Sequence, residues 1–382
     1  MSGTLIDYLN EYGDRTLWEY PMNDVDSLAL CQLSYLKFDG MVPDVWANKP
    51  FVTLRDIALH GDYERVFADS RYVKDNKALF KAMVTGKRFG GIKLNCHINL
   101  IELEQESQFS AVTFLLEDGN IYIAYRGTDE TIVGWKEDFN MVLLSPVPGQ
   151  ALSVKYLNMV MGKINRPFYI GGHSKGGNLA VYASMYCIPQ VQDRIRKIYT
   201  MDGPGFRTEI LKSDRYKKIA DRIVKILPQS SMVGMIFEND SNYQVVESKT
   251  FGLAQHNSFK WKVKDGDFCR VDDLYQSRKF LNQTFNEWLL SLEEEQIRTF
   301  VDTLYNVVSA SSAESLIEFT EDWIKSMNSI ITALKEVDDQ TKNILRAVIK
   351  SLFDLTRQKV KEEITLKPRK PKKRNKKEGD HR

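Results

Sequence analysis

The stretch YIGGHSKGGNLAVYAS, residues 169–184, decides how the rest of the chain is interpreted. Ser174 lies in it between Gly172 and Gly176, in the pattern Gly-x-Ser-x-Gly. The short apolar run before this pattern is typical of a strand, and the segment NLAVYASMYC after it is typical of a helix. A strand, a sharp turn and a helix expose such a serine as a nucleophile, beside the positive N-terminal end of the helix. The alternative is a strand-to-helix turn that binds a phosphate or nothing.

Patterns on both sides of this stretch predict further strands and helices. SAVTFLLEDGNIYIAYRG consists of two β-rich runs around Asp118, Gly119 and Asn120, which predicts a hairpin. After the serine, KIYTM and IVKILP are predicted strands, and TEILKSDRYKKIADR between them is a predicted helix. The order β-α-β-α-β indicates an α/β fold with a mostly parallel sheet that is covered by helices.

The composition excludes several classes of protein. The 382-residue chain is 43% apolar and 27% charged, as in ordinary globular proteins. No apolar run approaches the length of about 18 residues that a membrane span needs, and the N-terminus lacks the pattern of a signal peptide. We therefore expect a cytoplasmic protein. Four scattered cysteines form no Cys-x-x-Cys pair, so buried reduced thiols are expected instead of a zinc site.

Three regions are expected along the chain. Residues 1–275 form the α/β part, which begins with a mostly helical segment, and residues 276–366 show helical spacing of their apolar positions. The tail, 367–382, opens with KPRKPKKRNKK, which carries eight basic residues. Such a block of like charges predicts a disordered, solubilising end. The alternative is weak binding of this tail to anionic lipid or nucleic acid.

A nucleophilic serine needs a base, and the chain contains five histidines. His173 is next to the serine in sequence, and its side chain is predicted to point away from the site. His60 and His97 precede the serine, and His381 lies in the tail. His256 alone follows the serine within the folded part, as the order Ser-Asp-His of α/β-hydrolases demands. The alternative for His256 is a capping or surface histidine.

The acid that would orient this base is sought at the carboxyl end of a strand after the serine. The strand KIYTM is followed by Asp202 and the turn residues GPG, which makes Asp202 the predicted acid. The next strand ends in LPQSS and offers no carboxylate, while Glu238 and Asp240 follow later and stay as alternatives. A turn-forming Asp before Gly is the other interpretation of Asp202.

Two segments resemble a known family. YIAYRGTDETIVGWKEDF followed by YIGGHSKGGNLAVYAS is similar to class 3, triacylglycerol-lipase-like α/β-hydrolases. The closest resemblance is to a bacterial group of uncharacterised lipase-like proteins with similar GWKEDFNM and GHSKGGNLA segments. The resemblance covers about 25–270 and is strongest over 110–185. It implies an α/β-hydrolase fold over 1–275, and it says much less about the substrate.

The resemblance also implies roles for further residues. The oxyanion donors would be Thr128, after the strand that ends in Arg-Gly, and the backbone N–H of Lys175. The segment 129–150 would be the lid over the site. Family members place the acid after the strand that here ends in LPQSS, so the acid has moved to Asp202 or catalysis is weak or absent.

Together these observations predict a serine carboxyl-ester hydrolase. Ser174 attacks an acyl ester, His256 takes and returns the proton, and Asp202 orients His256. The substrate would be a small-molecule or lipid acyl ester, a lysophospholipid or a thioester, and no metal or organic cofactor is implied. The alternative is a catalytically inactive α/β-hydrolase-fold protein that acts as a binding or interaction module.

Overall fold

A computed structural model describes most of the first 275 residues of the chain. The described residues are 2–68, 72–102, 107–128, 146–237 and 242–275, with Asn286, Asp339 and Asn343. The chain separates into two compact units, Met1–Glu336 and Val337–Arg382, and all elements named below belong to the first. The predicted helical region 276–366 lies outside the described residues except at those three positions, and the tail 367–382 lies wholly outside them, so both stay predictions.

The helices of the described part are short to medium in length. They are α1 (Leu5–Tyr12), α2 (Asp24–Leu33), α3 (Leu54–His60), α4 (Tyr63–Val66), α5 (Val73–Thr85), α6 (Lys87–Gly90), α7 (Pro148–Lys163), α8 (Lys175–Tyr186), α9 (Pro189–Gln192), α10 (Thr208–Leu211) and α11 (Asp214–Lys217). Short 3₁₀ helices span Ala220–Arg222, Val233–Met235, Gly252–His256 and Ser258–Lys260. Among these helices none has the length and apolar character that a membrane span requires.

Nine strands form one large sheet and two form a small one. The strands are β1 (Val52–Thr53), β2 (Lys93–Glu102), β3 (Ser107–Leu115), β4 (Ile121–Tyr125), β5 (Phe168–His173), β6 (Ile195–Met201), β7 (Ile223–Pro228), β8 (Gln244–Val246), β9 (Val263–Lys264), β10 (Asp267–Phe268) and β11 (Arg270–Val271). The large sheet has the order β1-β2-β3-β4-β5-β6-β7-β8-β11, and β9 pairs with β10. Strands β4 to β8 are parallel, and the flanking pairs are antiparallel.

Several sequence predictions are confirmed by this architecture, and the prediction of one continuous helix after β6 is wrong. The hairpin joins β3 and β4 with Leu115 opposite Ile121, and Gly119 at its tip has φ +80, which glycine adopts without strain. The chain is therefore a mixed α/β protein, as the strand and helix patterns predict. The single helix expected over TEILKSDRYKKIADR is instead α10, α11 and a 3₁₀ turn. The side chain of Ser213 caps α11 by accepting a hydrogen bond from the Tyr216 amide, and this cap interrupts the helix.

The core lies on both faces of the sheet because the central strands are buried on both sides. Successive residues of β4 point to opposite faces, so Tyr122 packs with the N-terminal helices and Ile123 packs with α7 and α8. The N-terminal helices thus cover one face, and α7 and α8 cover the other. Of the four cysteines, Cys269 is half-buried and the other three are buried, so the prediction of buried thiols is wrong for Cys269 alone.

A buried ion pair holds the N-terminal helices together. Asp26 caps the start of α2 with Asn23 and also pairs with Arg88, and both charged side chains are fully buried. Tyr8 donates a hydrogen bond of 2.8 Å to the same carboxylate, and Arg88 donates one of 2.7 Å to the Tyr20 carbonyl. The ion pair therefore connects the helices, because Asp26 binds α1 through Tyr8 while Arg88 of α6 binds α2 and the loop between α1 and α2.

We expect Arg88→Met to destabilise the fold by about 3–5 kcal/mol, because removal of one partner leaves the other charge buried and unpaired. The free energy of unfolding from urea titration measures the loss. The matched control is Lys217→Met, which breaks an exposed pair with Asp214 and is expected to change stability little. Equal stability of the two variants would contradict the role given to Arg88.

Candidate active site

Ser174 occupies a sharp turn between β5 and α8. Its backbone has φ 58 and ψ −131, a conformation that residues other than glycine rarely adopt and that costs free energy. The amide of Ser174 donates a hydrogen bond of 2.9 Å to the carbonyl of Met201, so the turn is held against the end of β6. A serine in a strained strand-to-helix turn matches the geometry of a nucleophile elbow.

The glycines on either side of Ser174 are required by the close approach of strand and helix. A Cβ atom on Gly172 would lie 2.2 Å from the backbone carbon of Gly176. A Cβ atom on Gly176 would lie 2.1 Å from the carbonyl oxygen of Tyr125. Both distances are far inside van der Waals contact, so larger residues would push α8 away from the sheet.

Asp202 and His256 are in direct contact. Asp202 follows the last residue of β6, and His256 ends the 3₁₀ helix Gly252–His256. The Nδ1 atom of His256 lies 2.6 Å from the Oδ2 atom of Asp202, and the carboxylate is only 1% exposed. The structure thus brings together two residues that are 54 positions apart in sequence. They meet at the carboxyl ends of the parallel strands, where Ser174 lies between β5 and α8.

The second oxygen of Asp202 is also hydrogen-bonded. Its Oδ1 atom accepts a hydrogen bond of 2.5 Å from the Ser231 hydroxyl and one of 3.2 Å from the Gly234 amide. Ser231 belongs to the segment LPQSS, where the family resemblance placed the acid. That position therefore holds a serine that binds the carboxylate of the neighbouring strand.

The pKa of Asp202 is below its usual value. Burial acts to raise this pKa, but the hydrogen bond and charge of His256, together with the Ser231 hydrogen bond, outweigh burial and favour the ionised form. A carboxyl whose pKa is lower in the folded than in the unfolded state stabilises the fold above its unfolded pKa. This stabilisation is lost as the pH falls through the lower, folded value.

We therefore expect the difference in unfolding free energy between the wild type and Asp202→Asn to be largest above about pH 5. It should shrink as the pH falls below about 3.9, the ordinary pKa of Asp. Urea titrations at pH 6, 5, 4 and 3 measure this difference. Asp221→Asn, at a side chain that is 83% exposed, is the control and should differ little from wild type throughout. A difference for Asp202→Asn that is constant down to pH 3 would contradict the lowered pKa.

The loop that carries His256 is anchored by Gln255. The buried Gln255 side chain accepts a hydrogen bond of 2.6 Å from the Ser230 amide and donates one of 2.8 Å to the Thr250 carbonyl. The backbone carbonyl of Gln255 accepts a hydrogen bond of 2.8 Å from the indole N–H of Trp261. These contacts fix the backbone next to His256 against the end of β7.

The side chain of His173 lies against His256, whereas its predicted direction away from Ser174 stays a prediction. The two imidazole rings have their centroids 4.6 Å apart and are tilted by 35°. The Nε2 atom of His173 lies 2.9 Å from the backbone carbonyl of His256. These contacts arise because the segment Gly252–His256 packs against the end of β5, whose last residue is His173.

The segment after β4 passes beside the serine. A Cβ atom on Gly127 would lie 3.2 Å from the Cβ of Ser174, and Thr128 is the next residue. Lys175 is the first residue of α8, so its amide lies at the partly positive end of that helix. Its buried side chain runs to β3, where Nζ donates a hydrogen bond of 2.8 Å to the Gln108 carbonyl. Gly127, the residue before Thr128, and Lys175 therefore both lie next to Ser174.

Other predicted features fall partly or wholly outside the described residues. Glu238, Asp240 and most of the lid, 129–145, lie outside them. The end of the predicted lid, at residues 148–150, is the first turn of α7, where Gln150 is buried and donates a hydrogen bond to Asn178. The lid assignment is therefore wrong for this last part, because a buried turn is fixed to the core.

Sequence reasoning missed the residues that support Asp202 and His256. These are His173, Ser231 and Gln255, with Tyr35, whose hydroxyl lies 3.1 Å from Nδ1 of His173. His173 lies inside the Gly-x-Ser-x-Gly pattern, but that pattern gives it no role, and the other three belong to no local pattern that marks a site. All four contribute through contacts with residues distant in sequence. Within the part of the chain that the structure describes, no group of three or more His, Cys, Asp or Glu side chains could hold a metal ion.

The comparisons with known proteins define the family of the chain. The chain belongs to the Mbeg1-like family, whose model matches residues 83–306, more than half of the sequence. The matched range contains Ser174, Asp202 and His256, whereas Tyr35 lies before it. No curated protein and no solved structure matches the chain.

Proposed function

We propose that this protein is a serine carboxyl-ester hydrolase with an α/β-hydrolase fold. The observation that carries the proposal is the contact of 2.6 Å between His256 and the buried carboxylate of Asp202, at the strand ends beside the strained turn of Ser174. The Mbeg1-like family is lipase-like, which supports the same reaction class. The cytoplasmic location expected from the sequence, and the bacterial origin that the family resemblance implies, stay predictions.

In the proposed reaction the hydroxyl of Ser174 attacks the acyl carbonyl carbon, and His256 takes the hydroxyl proton. Because Nδ1 of His256 faces Asp202, the proton is accepted at Nε2. The tetrahedral intermediate then expels the alcohol, or the thiol of a thioester, which receives that proton from His256. Water, activated by His256, hydrolyses the acyl-enzyme and releases the acid and Ser174.

Asp202 has two tasks in this scheme. It holds the His256 ring in the tautomer that leaves Nε2 able to accept a proton, and its negative charge stabilises the imidazolium that forms. The lowered pKa of Asp202 keeps the carboxylate ionised at neutral pH, as both tasks require. The hydrogen bonds from Ser231 and Gly234 hold the carboxylate in the orientation that faces Nδ1.

The oxyanion would be bound between Thr128 and Lys175. The backbone N–H of Lys175 belongs to the N-terminal end of α8, where the helix dipole favours negative charge. Thr128 follows Gly127, which approaches the Cβ of Ser174 closely. Donors on both sides of the serine are the arrangement that stabilises a tetrahedral intermediate of acyl transfer. The substrate class is a small-molecule or lipid acyl ester.

A fluorophosphonate probe tests this proposal, because it reacts with a serine hydroxyl that is activated by a base. We expect the wild type to be labelled once, at Ser174, and Ser174→Ala to be unlabelled. The matched control is Ser184→Ala, which removes a buried hydroxyl from α8, the helix that follows Ser174, and should be labelled like wild type. A folded wild-type protein that is not labelled would favour the inactive, binding-module alternative.

A further inference from the structure

Two aromatic side chains outside the proposed triad connect the serine turn to the loop of His256. Tyr35 lies shortly after α2, and its hydroxyl is 3.1 Å from Nδ1 of His173. The other nitrogen of His173, Nε2, is 2.9 Å from the backbone carbonyl of His256. His173 is buried and Tyr35 is half-buried, so water competes little for these hydrogen bonds.

The partners of His173 specify one state of its ring. A backbone carbonyl only accepts hydrogen bonds, so Nε2 of His173 must carry the proton that it shares with His256. With its proton on Nε2, the ring presents Nδ1 as an acceptor, and the Tyr35 hydroxyl lies at 3.1 Å to donate to it. The same hydroxyl is also 3.3 Å from the backbone carbonyl of His173, so Tyr35 binds both the ring and the main chain of this residue.

Hydrogen bonds hold His256 at two points. Asp202 binds its ring at Nδ1, and His173 binds its backbone carbonyl. The ring of His173 also lies against the ring of His256, with centroids 4.6 Å apart. A base that is fixed in both main chain and side chain needs little reorganisation when a proton is transferred.

We infer that His173, oriented by Tyr35, is a positioning residue that holds the loop of His256 in its reactive geometry. This inference rests on the proposed function, in which His256 is the base. Tyr35 lies before the residues matched by the family model, 83–306. The N-terminal helical segment therefore contributes to the site and is more than a cover for the sheet. The hydroxyl of Tyr35 also lies against Gly127, where an added Cβ would come within 2.2 Å of it.

A first experiment measures the ring state without reference to activity. In ¹⁵N-histidine-labelled protein at neutral pH, His173, assigned by its loss in His173→Gln, should show a protonated Nε2 and an unprotonated Nδ1. Tyr35→Phe should shift the Nδ1 resonance, because the hydrogen bond to it is lost. A His173 ring with its proton on Nδ1 would overturn the inference whatever the activity.

A second experiment measures hydrolysis of p-nitrophenyl butyrate by folded variants, checked by thermal melting. Tyr35→Phe should lower kcat about fivefold with KM unchanged, the effect of one hydrogen bond of ordinary net strength. His173→Leu should lower kcat further, and His173→Gln should restore part of the loss because its amide nitrogen can reach the His256 carbonyl. Tyr156→Phe removes a buried hydroxyl that is bound to Thr113 and to the Cys96 carbonyl, and it should keep the kcat and KM of wild type.

The outcomes separate this inference from the proposed function. If the wild type hydrolyses the ester and both Tyr35→Phe and His173→Leu have the same kcat as wild type, the positioning role alone is overturned. A folded wild type without hydrolysis overturns the proposed function and the kinetic part of this inference with it. A rise in KM without a fall in kcat would also overturn the inference, since it would indicate a role in substrate binding.

Discussion

Ser174→Ala is expected to abolish the hydrolysis of p-nitrophenyl butyrate, with a loss in kcat of about 10⁶-fold if the triad acts as a unit. The loss is this large because neither His256 nor the oxyanion donors can form an acyl-enzyme without the hydroxyl of Ser174. Initial rates of purified wild type and variant, each corrected for the uncatalysed rate, measure this loss in kcat.

The fold is expected to survive this substitution, since the change removes one atom and leaves the backbone turn intact. Ser174→Gly is a useful companion, because φ 58 is strained for serine and unstrained for glycine. It should also be inactive but melt no lower than wild type. Ser184→Ala keeps the hydroxyl of the turn and should retain full activity. Undiminished hydrolysis by a folded Ser174→Ala protein would end the assignment of the nucleophile.

The sequence was sufficient to predict the central part of the sheet. The strands β4 to β7 appear as short apolar or β-branched runs bounded by turn residues, and Gly119 marks the hairpin between β3 and β4. The break between α10 and α11 was not predicted, because the apolar spacing continues through Ser213 while its side chain caps a new helix. Such a local hydrogen bond competes with helix continuation and leaves no trace in hydrophobic periodicity.

The site could be predicted only where chain order and strand ends restrict the choices. The elimination among five histidines and the position of Asp202 after β6 led to a pair that the structure places in contact. The supporting contacts could not be found in this way. Tyr35 meets His173 across 138 positions of sequence, and Ser231 meets Asp202 across 29. Contacts of that kind follow from tertiary packing and have no local pattern.

Asp202→Asn is expected to lower kcat by about 10⁴-fold, the loss seen when the acid of a serine protease triad becomes an amide. Asparagine has nearly the same shape, and its carbonyl oxygen can still accept the hydrogen bond from Ser231. The side-chain NH₂ would then face Nδ1 of His256, which favours the tautomer with its proton on Nε2. A ring in that tautomer cannot take the proton of Ser174 at Nε2, so kcat falls while KM changes little.

The comparison that decides the acid uses Glu238→Gln and Asp240→Asn beside Asp202→Asn, with kcat and KM measured on one soluble ester. If Asp202 is the acid, the first two variants should stay within a few-fold of wild type. A loss below tenfold for Asp202→Asn, with a collapse in one of the others, would assign the acid to that residue. The contact between His256 and Asp202 would then serve the fold and not the reaction. Ser231→Ala refines the result, because it keeps the carboxylate but removes a hydrogen bond of 2.5 Å. Its expected loss is about tenfold, which one hydrogen bond to a charged group accounts for.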